Sequence, residues 1–252
     1  MTDVNPELSI VIPCKNEENY IGACLRSLAR QTYPLASTEI FIADANSADR
    51  TRAVIEIFQA DHPNLRINVI EGGLPSVGRN NGAKASRSEY ILFLDADIEL
   101  RDRNVIENAV KMAIAQQRHC VTVSIQCRDA SPLDRIYYSF SNLAQRLSRF
   151  SKPYSTGMFM LVERNEFERL GGFDKDVTYA EDYHFTMKIS RNRFAVAGGS
   201  ALTSNRRMRK MGYARIGRMF FMTMLNSHRR EYFYKDHGYW VEPPQAPASR
   251  AE

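Results

Sequence analysis

The chain has 252 residues, of which 44% are hydrophobic and 25% charged, a composition typical of a soluble globular protein. Its formal net charge of +5 favours anionic partners such as nucleotides, phosphates or acidic lipids, and we expect no nucleic acid among them. The four cysteines lack C-x-x-C spacing, which predicts reduced thiols in a cytosolic protein rather than disulfides or a zinc site. The N-terminus is not typical of a signal peptide, and no apolar run approaches the ~20 residues of a membrane span.

The first half of the chain alternates between β-type and helical hydrophobic patterns. Strands are predicted at 8–13, 39–44, 66–71 and 89–95, helices at 17–31, 47–60 and 102–118, and a helix start or turn at 76–86. Ser47 is the expected N-cap of the second helix. This alternation predicts an α/β fold with a mixed, mostly parallel sheet flanked by helices.

The second half shows the same pattern less regularly. Strands are predicted at 120–127, 157–164 and 193–199, and helices at 132–149 and 180–192. No linker separates the halves, so we expect one continuous sheet. A helical extension over 206–240 and a disordered Pro- and Ala-rich tail over 241–252 complete the prediction.

Polar side chains follow three of the predicted strands. They occur in "PCKNE" after the first strand, "DANS" after the second and "DAD" after the fourth. Ligands of parallel sheets bind outside the carboxyl ends of the strands, so these turns should converge on one site. Asp95 and Asp97 of "DAD" would repel each other unless water solvates them or a cation lies between them, and hard oxygen ligands suit Mg²⁺ or Mn²⁺.

Six segments in order resemble the family 2 glycosyltransferases, which have the Rossmann-like GT-A fold of nucleotide-diphospho-sugar transferases. The segments are "SIVIPCKNEENYIGACLRSLARQTYP", "IADANSADRTRAVI", "GRNNGAKAS", "ILFLDADIEL", "STGMFMLVERNEFERLGGFDKD" and "AEDYHF", and the resemblance covers roughly 8–200. It implies a catalytic domain over 1–205, with a donor-binding half at about 8–118 and an acceptor half at about 119–205.

The resemblance also implies roles for particular residues. The nucleotide sugar would contact Pro13, Glu17, Asp44, Asn46, Ser47, Arg79, Asn80, Asp95, Ala96 and Arg207. Asp97, with Asp95, would hold Mg²⁺ or Mn²⁺ as the metal site. Asp182 would be the catalytic base that takes the proton of the acceptor hydroxyl, and Glu181 would orient it.

The implied reaction is transfer of one sugar, with inversion, from a nucleotide-diphosphate sugar to an acceptor hydroxyl. UDP is the first expectation for the nucleotide and GDP the second, and the acceptor is a sugar or a lipid-linked molecule of polysaccharide or glycolipid biosynthesis. The chain lacks the Gln-x-x-Arg-Trp signature of processive synthases. We expect a cytoplasmic enzyme, in reach of the inner face of the cell membrane.

Each of these features also has a simpler explanation. The "DAD" turn could be a solvated strand end, Ser47 or Asp49 a helix cap, and Glu181 and Asp182 acids that complement a helix dipole. Arg79 and Arg207 could be surface cations. For the whole chain, the alternatives are a non-catalytic sugar- or nucleotide-binding protein of the same fold and, more remotely, a haloacid-dehalogenase-type phosphatase that uses the "DAD" turn.

An apolar stripe follows the predicted catalytic domain, between residues 213 and 230. Tyr213, Ile216, Phe220 and Met224 recur at helical spacing, and Met219, Phe221 and Leu225 widen the stripe. Basic residues flank it, which suits a helix lying in a membrane interface. A core position and a homodimer face are the alternatives.

Overall fold

The computed structural model describes residues 7–239, and its central feature is a sheet of eight strands. The strands are β1 (Leu8–Cys14), β2 (Glu39–Asp44), β3 (Arg66–Glu71), β4 (Tyr90–Leu94), β5 (Glu99–Leu100), β6 (Cys120–Cys127), β7 (Phe159–Glu163) and β8 (Phe194–Thr203). Their spatial order is β3-β2-β1-β4-β7-β6-β8-β5. The predicted α/β class with one continuous sheet is therefore confirmed.

Helices connect the strands and cover the sheet. They are α1 (Ile21–Ala29), α2 (Thr51–Asp61), α3 (Pro75–Ala85), α4 (Val105–Ala115), α5 (Pro132–Ser148), α6 (Arg164–Arg169), α7 (Glu181–Thr186), α8 (Arg206–Met211), α9 (Tyr213–Leu225) and α10 (Arg230–Phe233).

The strand directions bring one strand start and several strand ends to the same edge of the sheet. β1 is parallel to β2 and β4, and β2 is parallel to β3. β7 is antiparallel to both β4 and β6, while β8 is parallel to β6. The carboxyl ends of β1, β2, β4 and β8 therefore lie at the same edge as the start of β7. We call this edge the carboxyl edge.

The core lies on both faces of the sheet, which explains why the central strands are apolar without interruption. All five residues of β4 are buried. Leu92 and Leu94 point into the larger core cluster, whereas Ile91 and Phe93 point into a second one. In that second cluster the rings of Phe93, Phe167 and Phe173 contact one another at centroid distances of 5.1–5.7 Å.

The structure corrects two local predictions. Ser47 is not the N-cap of α2, because that helix begins four residues later at Thr51 and the Ser47 hydroxyl hydrogen-bonds Asp44 instead. The helix predicted over 180–192 ends at Thr186, and a 3₁₀ turn follows over Arg191–Arg193. Residues 76–86, left as a helix start or turn, form most of α3. The predicted disordered tail over 241–252 lies outside the described residues.

The segment after β8 packs against the rest of the fold. The Tyr213 hydroxyl donates to Asp134 of α5 over 2.8 Å, and Arg206 forms an ion pair with Glu17. Ile216 is buried, and Phe220 packs on Tyr154 at a centroid distance of 5.2 Å. The stripe predicted between 213 and 230 therefore faces protein along most of its length. Among the described residues, no helix is long and apolar enough to cross a membrane.

Close packing of α3 on β1 generates a testable prediction. A Cβ added at Gly82 would lie 2.3 Å from Cγ1 of the buried Val11. We expect Gly82→Ala to destabilise the fold by roughly 1–3 kcal/mol through overpacking, in spite of the better helix propensity of alanine. Urea unfolding followed by circular dichroism measures the difference.

Gly198→Ala is the matched control, since a Cβ there meets no atom within 4 Å. Its free energy of unfolding should equal that of the wild type or exceed it slightly. Equal stability of the two variants would contradict the packing argument.

Candidate active site

A cavity of about 710 Å³ opens at the carboxyl edge. Its polar end contains Glu17 after β1, Asp95 and Asp97 after β4, and Arg206 after β8. Its other end contains the aromatic side chains Tyr137, Tyr138, Tyr154, Tyr179, Tyr183 and Phe220. Glu181 and Asp182, at the start of α7, also line it. The fold thus places five carboxylates, from three segments that are distant in sequence, around one space.

Arg79 joins the acids of β4 and α7. Its Nη2 donates to Asp95 Oδ1 over 2.7 Å, and its Nη1 donates to Glu181 Oε1 over 2.6 Å. The residue is only 2% exposed. Burial alone would lower the pKa of the guanidinium, but the carboxylates of Asp95 and Glu181 more than compensate and raise it further. Arg79 is therefore a permanently charged, buried bridge.

Gly157 leaves room for that bridge. A Cβ at this position would lie 2.1 Å from Nη2 of Arg79, so no other residue type fits unless the guanidinium moves. The backbone N–H of Gly157 also donates to Asp182 Oδ2 over 2.6 Å. Gly157, just before β7, thus leaves space for Arg79 and hydrogen-bonds Asp182.

Asp182 is a half-buried acid that lines the cavity. Its Oδ1 accepts from the Tyr183 N–H over 2.7 Å in addition to the Gly157 bond. Burial, and then the neighbouring Glu181, raise the pKa of Asp182 to about 6, against the opposing effects of Arg79 and the two N–H donors. Ala180, the N-cap residue of α7, has a left-handed backbone (φ 53°), which is rare for alanine.

Asp97 has the chemistry of a metal ligand. Its Oδ2 has only long contacts, at 3.4 Å to the hydroxyls of Thr203 and Ser204 and 3.5 Å to Arg206. Burial raises its pKa, Arg206 offsets this in part, and Asp95 adds to it. Within residues 7–239, no three His, Cys, Asp or Glu side chains are arranged to hold an ion. The two carboxylates fit Mg²⁺ or Mn²⁺ only with further oxygens from phosphate or water, which is how Mg²⁺ commonly binds.

Arg206 lies at the polar end of the cavity, where the sequence suggested Arg207. Arg206 forms a two-pronged ion pair with Glu17 and stacks on the Tyr20 ring at 4.9 Å. Burial raises the pKa of Glu17, and the Arg206 partner works against that shift. Arg207 also lines the cavity, but it stacks on Tyr239 at 4.4 Å and donates to its hydroxyl.

Two of the other predicted binding residues, Pro13 and Ala96, line the cavity. Asp44 is buried beside it, where Arg52 Nε and the Ser47 hydroxyl each bond its carboxylate over 2.5 Å.

Two further predicted binding residues have structural roles. Asn46 adopts a positive φ of 57°, which asparagine tolerates, within the Asp44–Ser47 turn. Asn80 exchanges two hydrogen bonds with the backbone of Phe173. Four predicted binding residues therefore shape the loops around the cavity rather than its wall: Asp44, Asn46, Ser47 and Asn80.

Sequence reasoning did not single out Arg206, Thr203 and Ser204, or the tyrosines of the aromatic end. Thr203 ends β8, and Ser204 and Arg206 follow it. They lie at this edge because β8 runs parallel to β6 and therefore to β4. The signal that could have found them was the end of the last predicted strand, which a mostly parallel sheet brings to the carboxyl edge.

Comparison with known proteins assigns the family. Residues 9–171, more than half of the chain, match the family described as Glycosyl transferase family 2. The chain therefore belongs to glycosyl transferase family 2. Its mixed sheet, flanked by helices, has the GT-A fold of the glycosyltransferases found among similar structures.

The chain is similar to particular members as well. It is 26% identical over 193 residues to "Glycosyltransferase AglE" of Haloferax volcanii, covering 75% of this chain and 63% of that protein. A mannosyltransferase of Pyrobaculum calidifontis, solved with GDP-Man and Mn²⁺, has a TM-score of 0.72 at 24% identity, covering 96% of this chain and 67% of that one. Staphylococcus aureus TarS, solved with UDP, gives 0.59 at 20% identity, covering 79% and 58%.

The buried bridge predicts a large effect of its removal. Arg79→Met leaves Glu181 buried beside Asp182 without a counter-charge, and we expect the free energy of unfolding to fall by roughly 3–5 kcal/mol. Denaturant unfolding at pH 7 provides the measurement. Because Arg79 lowers the pKa of Asp182, its removal raises that pKa further, and part of the lost stability should return as the pH falls and Asp182 protonates.

Lys111→Met serves as the control. Lys111 is 70% exposed and pairs with Glu107 one helical turn away, so its loss should change the free energy of unfolding by about 0.5 kcal/mol or less. If Arg79→Met were as mild as this control, the bridge would not be a stabilising element.

Proposed function

We propose that this chain is an inverting glycosyltransferase that moves one sugar from a nucleotide-diphosphate sugar to an acceptor hydroxyl. The observation that carries the proposal is the position of Asp182. A half-buried carboxylate with a raised pKa lines the same cavity as Asp95 and Asp97. Activation of an acceptor and binding of a diphosphate would then take place in one cavity.

The polar end of the cavity suits the donor. Asp97 and Asp95 would hold a divalent cation, which supplies charge stabilisation to a leaving diphosphate when bound. Arg206, fixed by Glu17, adds a cation beside Asp97. Support comes from the similar mannosyltransferase solved with GDP-Man and Mn²⁺ and from TarS solved with UDP. UDP and GDP are therefore the two nucleotides to test.

Asp182 has the properties of a general base. A carboxylate whose pKa approaches neutrality accepts a proton more readily than an ordinary aspartate and is still ionised at pH 7. The N–H groups of Gly157 and Tyr183 fix its orientation, and Glu181 is itself held by Arg79. Glu181 is therefore a positioning residue that keeps a second negative charge beside the base.

The aromatic end of the cavity suits an acceptor with an apolar part. Tyr154, Tyr183 and Phe220 meet there around the space next to Asp182. Both a sugar ring and a lipid-linked sugar could pack on the aromatic rings there.

The four cysteines are free and buried, which agrees with a location in the reducing cytoplasm.

The alternatives are weaker. A phosphatase of the haloacid-dehalogenase type does not fit a chain whose family is glycosyl transferase family 2 and whose "DAD" turn follows the fourth strand. A binding protein without activity would have no use for a carboxylate with a raised pKa, that of Asp182, in the same cavity as Asp95 and Asp97.

Replacement of the base tests the proposal. Asp182→Asn retains the shape and the hydrogen bond from Gly157 but cannot accept a proton, so sugar transfer should fall by about 10²–10⁴-fold. Release of UDP or GDP from a panel of nucleotide sugars, in the presence of Mn²⁺ and candidate acceptors, measures transfer. Nucleotide affinity should remain within a few-fold of the wild type.

The pH dependence of kcat provides a second test, and an exposed aspartate provides the control. Since Asp182 must be ionised, wild-type kcat should rise with pH through about 6 and then level off. Asp176→Asn, an exposed change outside the cavity, should leave both rate and profile unaltered. A transfer rate of Asp182→Asn near that of the wild type would show that the base has been assigned wrongly.

A further inference from the structure

Helix α5 is amphipathic in the reverse of the usual sense. Its inner face is polar: the side chain of Asn142 exchanges two hydrogen bonds with the backbone of Ile125, and Gln145 donates to the carbonyl of Val123. β6 pairs with β7 only over Cys120–Thr122, so the remainder of that strand edge needs partners. The amides of α5 supply them.

The outer face of α5 is correspondingly apolar. Six large side chains, each 53–67% exposed, point away from the protein: Leu133, Ile136, Phe140, Leu143, Leu147 and Phe150. They recur at alternating spacings of three and four residues, which places them on one side of a helix. A contiguous apolar surface of this kind on a folded protein marks an interaction site. We call these six residues the α5 stripe.

Positive charge borders the α5 stripe. Arg135, Arg146, Arg149 and Lys152 are exposed along it. The acid of this helix, Asp134, is buried and engaged by Ser131 and Tyr213. Beyond the end of the helix, a depression of about 420 Å³ adds the side chains of Arg118 and Arg191 next to Phe150. The surroundings of the stripe therefore attract anions.

Helix α9 runs alongside α5, and both helices border the candidate active-site cavity. Tyr213 at its start bonds Asp134, and Ser227 just beyond its end accepts from Lys152 over 3.3 Å. Three large apolar side chains of α9 are also exposed: Phe221, Met222 and Leu225. Between the two helices, Ser141 of α5 and Thr223 of α9 line the cavity wall.

We infer that the α5 stripe rests on an anionic lipid surface, with its apolar side chains in the acyl boundary and its cations among the headgroups. The composition is that of an interfacial helix, with Leu, Ile and Phe on one face and Arg and Lys beside them. Anionic headgroups supply the counter-charge that this part of the molecule lacks.

A second copy of the chain is the competing occupant, because the stripe has the spacing of a coiled-coil seam. Self-pairing of α5 would bring its cations, such as Arg146 and Arg149, near the cations of the second copy's helix. No exposed acid on the helix would neutralise them. The charge pattern therefore favours lipid over a second copy.

A lipid surface at this position also specifies the acceptor. Because α5 and α9 border the aromatic end of the cavity, an acceptor anchored in the membrane would reach Asp182 from between them. This consequence rests on the proposed function, whereas contact with lipid does not.

Vesicle flotation tests the inference directly. The full chain is mixed with vesicles of phosphatidylglycerol and phosphatidylcholine in equal parts, or of phosphatidylcholine alone, without nucleotide or acceptor. We expect binding to the anionic vesicles, weaker in high salt, and little binding to the neutral ones. Ile136→Glu combined with Leu143→Glu should lower the partition coefficient by about tenfold or more, since charged groups would enter the apolar boundary.

Ile57→Glu is the matched control, because Ile57 of α2 is 60% exposed, much as Ile136 is at 67%. It should bind vesicles like the wild type. Thermal unfolding of all the variants checks that each is folded, and Arg146→Gln with Arg149→Gln should weaken binding to anionic vesicles without changing the fold.

Three results would overturn the inference: no binding of the wild type to anionic vesicles, equal loss of binding in Ile57→Glu, or a wild-type dimer by light scattering that Leu143→Glu converts to monomer. None of these depends on catalysis. A failure here would therefore leave the proposed transferase activity standing, and a failure of transfer would leave the lipid contact standing.

Discussion

The guanidinium of Arg79 is the element on which the candidate site depends. Glu181 is buried, the adjacent Asp182 is half-buried, and Asp95 approaches from the end of β4. Without a counter-charge, the pKa of Asp182 would rise further or the site would open. Arg79 bonds Asp95 and Glu181 at once. It thereby favours the ionised form of Asp182, the proposed base, and links the β4 side of the cavity to the α7 side.

The mixed sheet makes this bridge possible. β7 runs against β4, so the residues that precede it lie at the carboxyl edge rather than at the opposite one. Gly157 there supplies both the space for Arg79 and a hydrogen bond to Asp182. The second antiparallel pairing, of β7 with β6, returns β6 and the parallel β8 to the direction of β4, and Arg206 comes to face Glu17 and Asp97. The two antiparallel pairings thus assemble a site from segments that are otherwise far apart.

The sequence predicted the fold class, most of the elements and the carboxylates of the site, because apolar strands and the acids that follow them are local features. It did not predict the reversal at β7, which is a matter of tertiary pairing, nor the consequences for Gly157 and Arg206. Ser47 was wrong as a cap because Asp44, three residues earlier, competes for its hydroxyl. The outer face of α5 was also missed, since helical periodicity cannot tell which side of a helix meets the protein.

Calorimetric titration of UDP and of GDP, each with and without Mn²⁺, tests the central claim most directly when wild type and Asp97→Ala are compared. One nucleotide should bind the wild type with Mn²⁺ and at least about tenfold more weakly without it, since the ion joins Asp97 to the diphosphate. Asp97→Ala should bind equally weakly in both conditions. Nucleotide binding that is indifferent to both Mn²⁺ and Asp97, or no binding of either nucleotide, would contradict the assignment of this cavity as the donor site.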